Sequence, residues 1–467
     1  MRKISKHIYF ILGVVTILLF FFTQGVTWYK IGGDSEAYYI HFQHRIEVAP
    51  LYPLFFHILD LIFGNELYLY AASVIQLLLT VICVMAFVRF IGRNFKLEIF
   101  SIIIVWLASL IPFYLLLPEN PIPHDLMTES ITYPFMYVYT VLVLKGLYES
   151  KEKYFFYSAA FVELMALVRG QMMFLFAVSI IAYLVYLTNK FRNKIFTKNL
   201  LMVIRKICAL LALSFLCMIG GKLLTEAYNR VFFDAPAQSF SSHLAVQKAL
   251  YLADEEDAEL FDDEITREIF QKTYAEMKKE KTIYQYSEKN LWLWKHAIGS
   301  FGANSWYVQD AIESVLTEHE LWSDDKMEQE NLKLIYSEKI SKVLIKDNWK
   351  KYITLFFELI PSAFVSTVLF HKESIYLLIH IATAILYLLA MTLSILIIKL
   401  SGQLVKETEF MWMIIANAVI NVISTNIMHM GVQRYQAYTV GMFYVGMFLM
   451  TRYLFLLWRE HRVVAEQ

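Results

Sequence analysis

Ten apolar stretches, each long enough or nearly long enough to cross a lipid bilayer, dominate the chain. A membrane helix needs about 20 mainly apolar residues, because the hydrocarbon layer is about 30 Å thick. Only 18% of the residues are charged, whereas soluble domains carry about 25%. We therefore predict an all-α polytopic membrane protein with about ten transmembrane helices. The predicted spans are 7–27, 67–88, 98–117, 126–144, 154–168, 170–187, 203–224, 374–398, 409–428 and 435–458.

The distribution of Lys and Arg predicts the orientation of these spans. Cytoplasmic loops are enriched in both residues. With the N-terminus inside, 20 basic residues lie on the cytoplasmic side, and the external side outside segment 226–350 keeps seven. We expect both termini in the cytoplasm. The absence of an ER-retention tail favours a bacterial plasma membrane over the endoplasmic reticulum.

Segment 226–350 differs in composition from the rest of the chain. It carries 24 acidic against 15 basic residues, so it is a poor candidate for nucleic-acid binding. The predicted organisation is an N-terminal membrane domain (1–225), an external soluble insert (226–350) and a C-terminal membrane domain (351–467). The insert is predicted to be helical at both ends, with β structure left open in its middle.

Two further apolar stretches, 50–63 and 353–370, are excluded from the spans. The first is too short to cross, and the second contains Glu358 and Pro361. We interpret both as helices that lie at the outer surface of the membrane.

The first predicted external loop contains a pair of carboxylates, Asp34 and Glu36, in the run Gly-Gly-Asp-Ser-Glu. Two neighbouring acids can divide the roles of general base and orienting or metal-binding group. A divalent cation, if one is bound, would be held here. The alternative is that they are solvated loop acids or cap a following helix.

Three more acids mark the predicted membrane region. Glu129 lies at the rim of the fourth span, where a carboxylate is expensive unless it is paired, so it is a candidate functional residue. Asp125 either caps that helix or contacts a substrate. Glu163, inside the fifth span, should pair with a neighbouring helix or stay protonated.

Two arginines are predicted near the outer membrane edge. Arg169 lies between two short spans and needs an anionic partner, which could be Glu129, a lipid headgroup or a phosphorylated substrate. Arg434 precedes the last span. A planar guanidinium can donate two parallel hydrogen bonds to phosphate. Together the arginines and acids predict a site for an anionic lipid.

These motifs follow one another along the chain, on the predicted external side, in an order that resembles the GT-C superfamily of membrane glycosyltransferases. This superfamily includes the protein mannosyltransferases and the lipid A aminoarabinose transferase. Asp34-Ser35-Glu36 is similar to the acidic motif in the first external loop of that family. The stretch around Tyr52 resembles its Pro-Pro-Leu-Tyr surface helix. Thr128-Glu129-Ser130 corresponds to an acid of the second external loop, and Gln433-Arg434-Tyr435 is similar to its Arg-Tyr signature.

The resemblance implies transfer of a sugar from a polyprenyl-phosphate carrier to a glycan, lipid or protein acceptor in cell-envelope glycan biosynthesis. Asp34 would then be the general base, with Glu36 and Glu129 orienting the acceptor or holding a divalent cation. The residues implied in substrate binding are Arg169, Arg434, Tyr435, Asp125 and Tyr52. No other cofactor is expected.

Two other functions are compatible with the same residues. A transporter or flippase of a lipid-linked saccharide or phospholipid would use the arginines to hold a headgroup. A non-catalytic scaffold would bind a partner through the insert, whose tryptophans (Trp292, Trp294, Trp306 and Trp322) either stack on sugars or pack in a core. The clustering of charges at one face favours the enzyme.

Overall fold

The structure, a computed structural model, describes residues 6–23, 29–31, 48–115, 124–191, 200–233, 241–287, 293–370, 375–428 and 433–465. Within these ranges the chain is helical, and its extended pairing is a single bridge between Lys30 and Asp125. The helices before the insert are α1 (Lys6–Thr23), α2 (Leu51–Phe63), α3 (Tyr68–Asn94), α4 (Ile99–Leu115), α5 (Glu129–Tyr148), α6 (Lys153–Val168), α7 (Phe174–Phe191) and α8 (Leu200–Phe233). The later helices are α9 (Ser241–Tyr251), α10 (Glu264–Lys279), α11 (Leu293–Glu318), α12 (Lys326–Asp347), α13 (Trp349–Val365), α14 (Tyr376–Ser401), α15 (Lys406–Met428), the single turn α16 (Gln433–Gln436) and α17 (Val440–Ala465).

Each of the ten predicted spans coincides with a helix of the structure. In the described part of the chain, six helices are long and apolar enough to cross a membrane, namely α3, α7, α8, α14, α15 and α17. The other four, α1, α4, α5 and α6, have between 16 and 20 residues. The prediction of an all-α membrane protein is therefore confirmed at this level, with six helices able to span.

The two predicted surface helices are present as α2 and α13. Helix α2 has one buried face, which includes Tyr52 and Phe56, and an opposite face on which Leu61 and Ile62 are largely exposed. With 13 residues it covers only about 20 Å at 1.5 Å per residue, which is less than a bilayer requires.

One large hydrophobic core joins the helices on both sides of the insert. Helix α17 packs closely against α4 at Gly441, where a Cβ atom would meet the Ala108 carbonyl oxygen at 2.8 Å. The Tyr137 hydroxyl of α5 donates to the Ser109 carbonyl oxygen of α4 over 2.7 Å. These contacts pack the middle of α5 and the start of α17 against the same part of α4.

The insert has a hydrophobic core of its own, formed by α9 to α12. Its described middle is helical, so the β structure left open by the sequence is not found there. Lys248 of α9 connects the insert to the end of α15: its ammonium donates to the Asn426 carbonyl oxygen and lies 4.4 Å from the centre of the Tyr352 ring. Burial lowers the pKa of this lysine to about 7.

Candidate functional site

Three segments that are distant in sequence meet at one end of the helical bundle. They are the first turn of α5, the junction of α6 and α7, and the turn α16. Arg169 ends α6 with an extended backbone (φ −153°, ψ 108°), and a short 3-10 helix, Gly170–Met173, follows it. This break turns the arginine side chain away from the helix axis and toward α5.

An ion-paired cluster forms where these segments meet. Arg169 Nη1 lies 2.8 Å from Glu129 Oε2, and Arg434 Nε lies 3.7 Å from Glu129 Oε1. The side chains of Glu129, Arg169 and Arg434 are 6%, 13% and 28% exposed, respectively. Among the described residues, both arginines therefore face the same carboxylate.

A hydroxyl completes the contact between α5 and the α6–α7 junction. Thr128 Oγ1 accepts a hydrogen bond from Arg169 Nη1 over 2.6 Å and donates to Glu129 Oε2 over 3.0 Å. The other carboxylate oxygen, Glu129 Oε1, is buried and accepts no hydrogen bond from the described residues. The two oxygens of Glu129 are therefore held unequally.

Tyr435 lies against both arginines. Its ring centre is 4.6 Å from the Arg169 guanidinium carbon and 5.2 Å from that of Arg434, distances typical of cation–π contacts. Its carbonyl oxygen accepts hydrogen bonds from Gln171 Nε2 (2.8 Å) and Asn421 Nδ2 (2.7 Å). The Gln171 side-chain oxygen in turn accepts from Arg169 Nε over 3.1 Å.

Asp125 lies beside this cluster in the segment before α5. Its backbone pairs with Lys30, and its carbonyl oxygen accepts a hydrogen bond from the Ser130 hydroxyl. Burial raises the pKa of the Asp125 carboxyl to about 6; Glu129 raises it further, whereas Lys30 and Arg434 oppose the rise. The suggestion that Asp125 caps α5 is wrong, since Thr128 occupies the N-cap position.

The other predicted residues have separate positions. Asp34 and Glu36 lie outside the described residues, as does Trp292. Tyr52 is fully buried in an apolar cluster with Leu126 and Val168, and its hydroxyl accepts a hydrogen bond from Gln76.

Glu163 projects from α6 toward α8. Its Oε1 would lie 1.6 Å from a Cβ atom placed on Gly221 of α8. Within the ranges that the structure describes, no group of three or more His, Cys, Asp or Glu side chains is placed to hold a metal ion.

Sequence reasoning missed the polar side chains that support the cluster. Gln171 and Asn421 carry no charge, so the argument from the cost of buried charge did not find them. A signal was present in the predicted span 409–428, where Asn417, Asn421 and Thr425 recur every four residues and therefore share one helix face. All three are buried, and polar side chains inside apolar helices usually face other helices.

The geometry is suited to binding a small anion. In the described part of the chain, the two guanidiniums approach a common point at the Glu129 carboxylate, and the surrounding helices are apolar. In such a water-poor setting fixed cationic donors act strongly on negative charge. Comparisons with known protein families, curated proteins and solved structures give no match to this chain.

Proposed function

We propose that the chain is an integral membrane glycosyltransferase of the GT-C type, which moves a sugar from a polyprenyl-phosphate carrier to an acceptor on the external face, with inversion. The observation that carries this proposal is the convergence of Arg169 and Arg434 on one point at the end of an apolar bundle. The planar fork of a guanidinium matches the geometry of phosphate, and apolar helices suit an isoprenoid tail. Ten spans, cytoplasmic termini and a bacterial plasma membrane belong to the same proposal.

The arginines would act on the leaving group. As the acceptor oxygen forms a bond to the anomeric carbon, the bond from that carbon to the phosphate oxygen breaks, and its electron pair moves to the phosphate. The acceptor proton passes to Asp34. Negative charge therefore grows on the phosphate in an oxocarbenium-like transition state, where Arg169 and Arg434 stabilise it.

The contacts of Glu129 alter the role that sequence reasoning proposed for it. Its carboxylate is engaged by Arg169 and Thr128, so a divalent cation on the same oxygens would have to displace the arginine. In the proposed enzyme, Glu129 is the counter-ion of the arginines. The proposed metal-binding and acceptor-orienting roles then remain with Asp34 and Glu36.

Sugar release from a radiolabelled mixture of polyprenyl-phosphate sugars, measured with purified protein in detergent, tests the proposal. Asp34→Asn should abolish turnover. Arg434→Ala should reduce it by about 10²–10³-fold, the usual effect of removing one donor that stabilises transition-state charge. Arg230→Ala is the matched control, because that side chain is 68% exposed. A wild type that binds the lipids but releases no sugar with any acceptor or divalent cation would refute transfer.

One observation supports the transporter as a second candidate. Glu163 is an acid inside a predicted span, with its carboxyl against Gly221 of α8, and intramembrane acids often mark ion or substrate paths. Translocation of a fluorescent lipid-linked sugar in vesicles separates the two functions. A transporter would retain translocation in Asp34→Asn and lose it in Glu163→Gln, whereas the enzyme would lose transfer in Asp34→Asn alone.

A further inference from the structure

The carboxylate of Glu129 occupies the point between the arginines where the proposed function places a phosphate. We propose that Glu129 is a resident counter-ion that an incoming phosphate must displace, and that this competition weakens binding of the phosphate monoester product more than binding of the diester donor. The inference rests on the proposed function for the chemical class of its ligand. It concerns the release of the phosphate monoester product, which would bind tightly to the arginines if Glu129 were absent.

The contacts of Glu129 are those of an exchangeable ligand. Oε2 forms an ion pair with Arg169 over 2.8 Å and accepts a hydrogen bond from Thr128, whereas Oε1 accepts none from the described residues and lies 3.7 Å from Arg434 Nε. A carboxylate held by both oxygens in a parallel pair would be harder to displace. Here the contact of Oε1 with Arg434 Nε, at 3.7 Å, is longer than a hydrogen bond, so Glu129 is held at one oxygen more firmly than at the other.

The two ligands differ in charge. A polyprenyl-phosphate sugar is a phosphodiester with one negative charge, whereas the product is a phosphate monoester, which carries about −1.5 to −2 at pH 7. The carboxylate of Glu129, which faces both arginines, repels the monoester more strongly than the diester.

Removal of the counter-ion should therefore affect the two ligands unequally. The electrostatic energy between Glu129 and a ligand is proportional to the charge of that ligand. If loss of the carboxylate tightens binding of a monoanion by a given factor, it should tighten binding of a dianion by about the square of that factor. Glu129 thus favours turnover by keeping the product affinity low.

The test measures the affinity of purified protein in detergent for farnesyl phosphate, a monoester, and for its methyl ester, a diester. Glu129→Gln should tighten binding of the diester by about tenfold and of the monoester by about 100-fold, the ratio that follows from their charges. Inorganic phosphate and farnesol are measured in parallel. Tightening with inorganic phosphate as well as farnesyl phosphate locates the effect at the headgroup, and tightening with farnesol would contradict it.

Two variants serve as controls. Glu129→Asp keeps the charge and should change the ratio of monoester to diester affinity little. Glu163→Gln removes a half-buried carboxyl elsewhere in the bundle and should change neither affinity. If Glu129→Gln does not fold, Thr128→Val provides the second route, because it removes a hydroxyl that donates to Oε2. It should produce a smaller tightening that is again larger for the monoester.

Three results would overturn the inference: Glu129→Gln binding both ligands no more tightly than wild type, an equal change for both ligands, or no binding of farnesyl phosphate by either protein. The sugar-release assay separates this failure from that of the proposed function. Unequal tightening without any sugar release would support the counter-ion and refute transfer. Sugar release without tighter binding in Glu129→Gln would support transfer and refute the counter-ion.

Discussion

Ion pairs of equal length lie in two different surroundings in this protein. Arg169 and Glu129 are 2.8 Å apart with side chains 13% and 6% exposed, whereas Lys272 and Glu318 of the insert are 2.8 Å apart with side chains 44% and 56% exposed. Water screens the pair in the insert, so it contributes little. The pair in the bundle has lost its hydration, and each partner depends on the other. Burial, rather than distance, decides what an ion pair contributes.

Breaking the buried ion pair of Arg169 and Glu129 should have the largest effect on stability. Arg169→Met leaves the Glu129 carboxylate buried beside one more distant arginine, and we expect a loss of about 3–5 kcal/mol in the free energy of unfolding. Denaturation in mixed micelles measures it. The double variant Arg169→Met/Glu129→Met should recover part of the loss, because it removes both charges. A single variant as stable as wild type would contradict burial of the pair.

Asp125 tests whether a buried acid beside the cluster is destabilising when charged. Its pKa is raised to about 6 in the folded protein and is about 3.9 in an unfolded chain. The folded state therefore holds the proton more tightly, and stability falls as the pH rises from about 4 to about 6.

Asp125→Asn should consequently be more stable than wild type by about 3 kcal/mol at pH 7.5, since each pKa unit corresponds to about 1.4 kcal/mol. At pH 4 the two proteins should differ little. Thermal unfolding at both pH values measures the difference, with the exposed Asp310→Asn as control. A gain that is equal at both pH values would show that the charge of Asp125 is not its cause.

Gly221 tests the contact between Glu163 and α8. An added Cβ atom would lie 1.6 Å from Glu163 Oε1 and 2.8 Å from its Cδ, so the carboxyl must move. We expect Gly221→Ala to destabilise by about 1 kcal/mol and to cost nothing when combined with Glu163→Ala. Gly220→Ala is the neighbouring control, because nothing lies within 4 Å of its added Cβ. A double-mutant cycle measures the coupling.

The smallest effect should come from the exposed pair in the insert. Lys272→Ala removes the contacts of its ammonium with Glu318 and with the Ser314 hydroxyl, yet all three groups remain accessible to water. We expect no measurable change in Tm. A change as large as that of Arg169→Met would show that the contrast between the two regions does not depend on burial.

The positions of the helices were accessible from the sequence because an apolar run of about 20 residues has few alternatives in lipid. Their ends were less accessible. Helix α3 continues to Asn94, past the predicted end at 88, and α8 continues to Phe233, past 224. Hydropathy predicts where the apolar stretch ends. The helix itself can continue beyond that point, because arginines are favourable near the C-terminal end of a helix.

Two kinds of argument predicted members of the site: the cost of buried charge found its charged residues, and the family resemblance added Tyr435. Glu129, Arg169 and Arg434 were selected because isolated charges near lipid are costly, and the structure brings these three together. Gln171 and Asn421 both donate hydrogen bonds to the Tyr435 carbonyl oxygen. This contact joins segments that are distant in sequence, so it depends on tertiary packing. Asp125 was misassigned as a possible cap because Asp is a common N-cap residue, but the helix begins later, after Thr128.

The length of α8 has a consequence for the insert. Its 34 residues extend over about 51 Å, whereas the hydrocarbon layer is about 30 Å thick. The far end carries Tyr228, which packs with Leu334 of the insert and Leu54 of α2. About 20 Å of α8 therefore remains beyond the hydrocarbon layer, so the number of turns in this helix determines how far from that layer it contacts the insert.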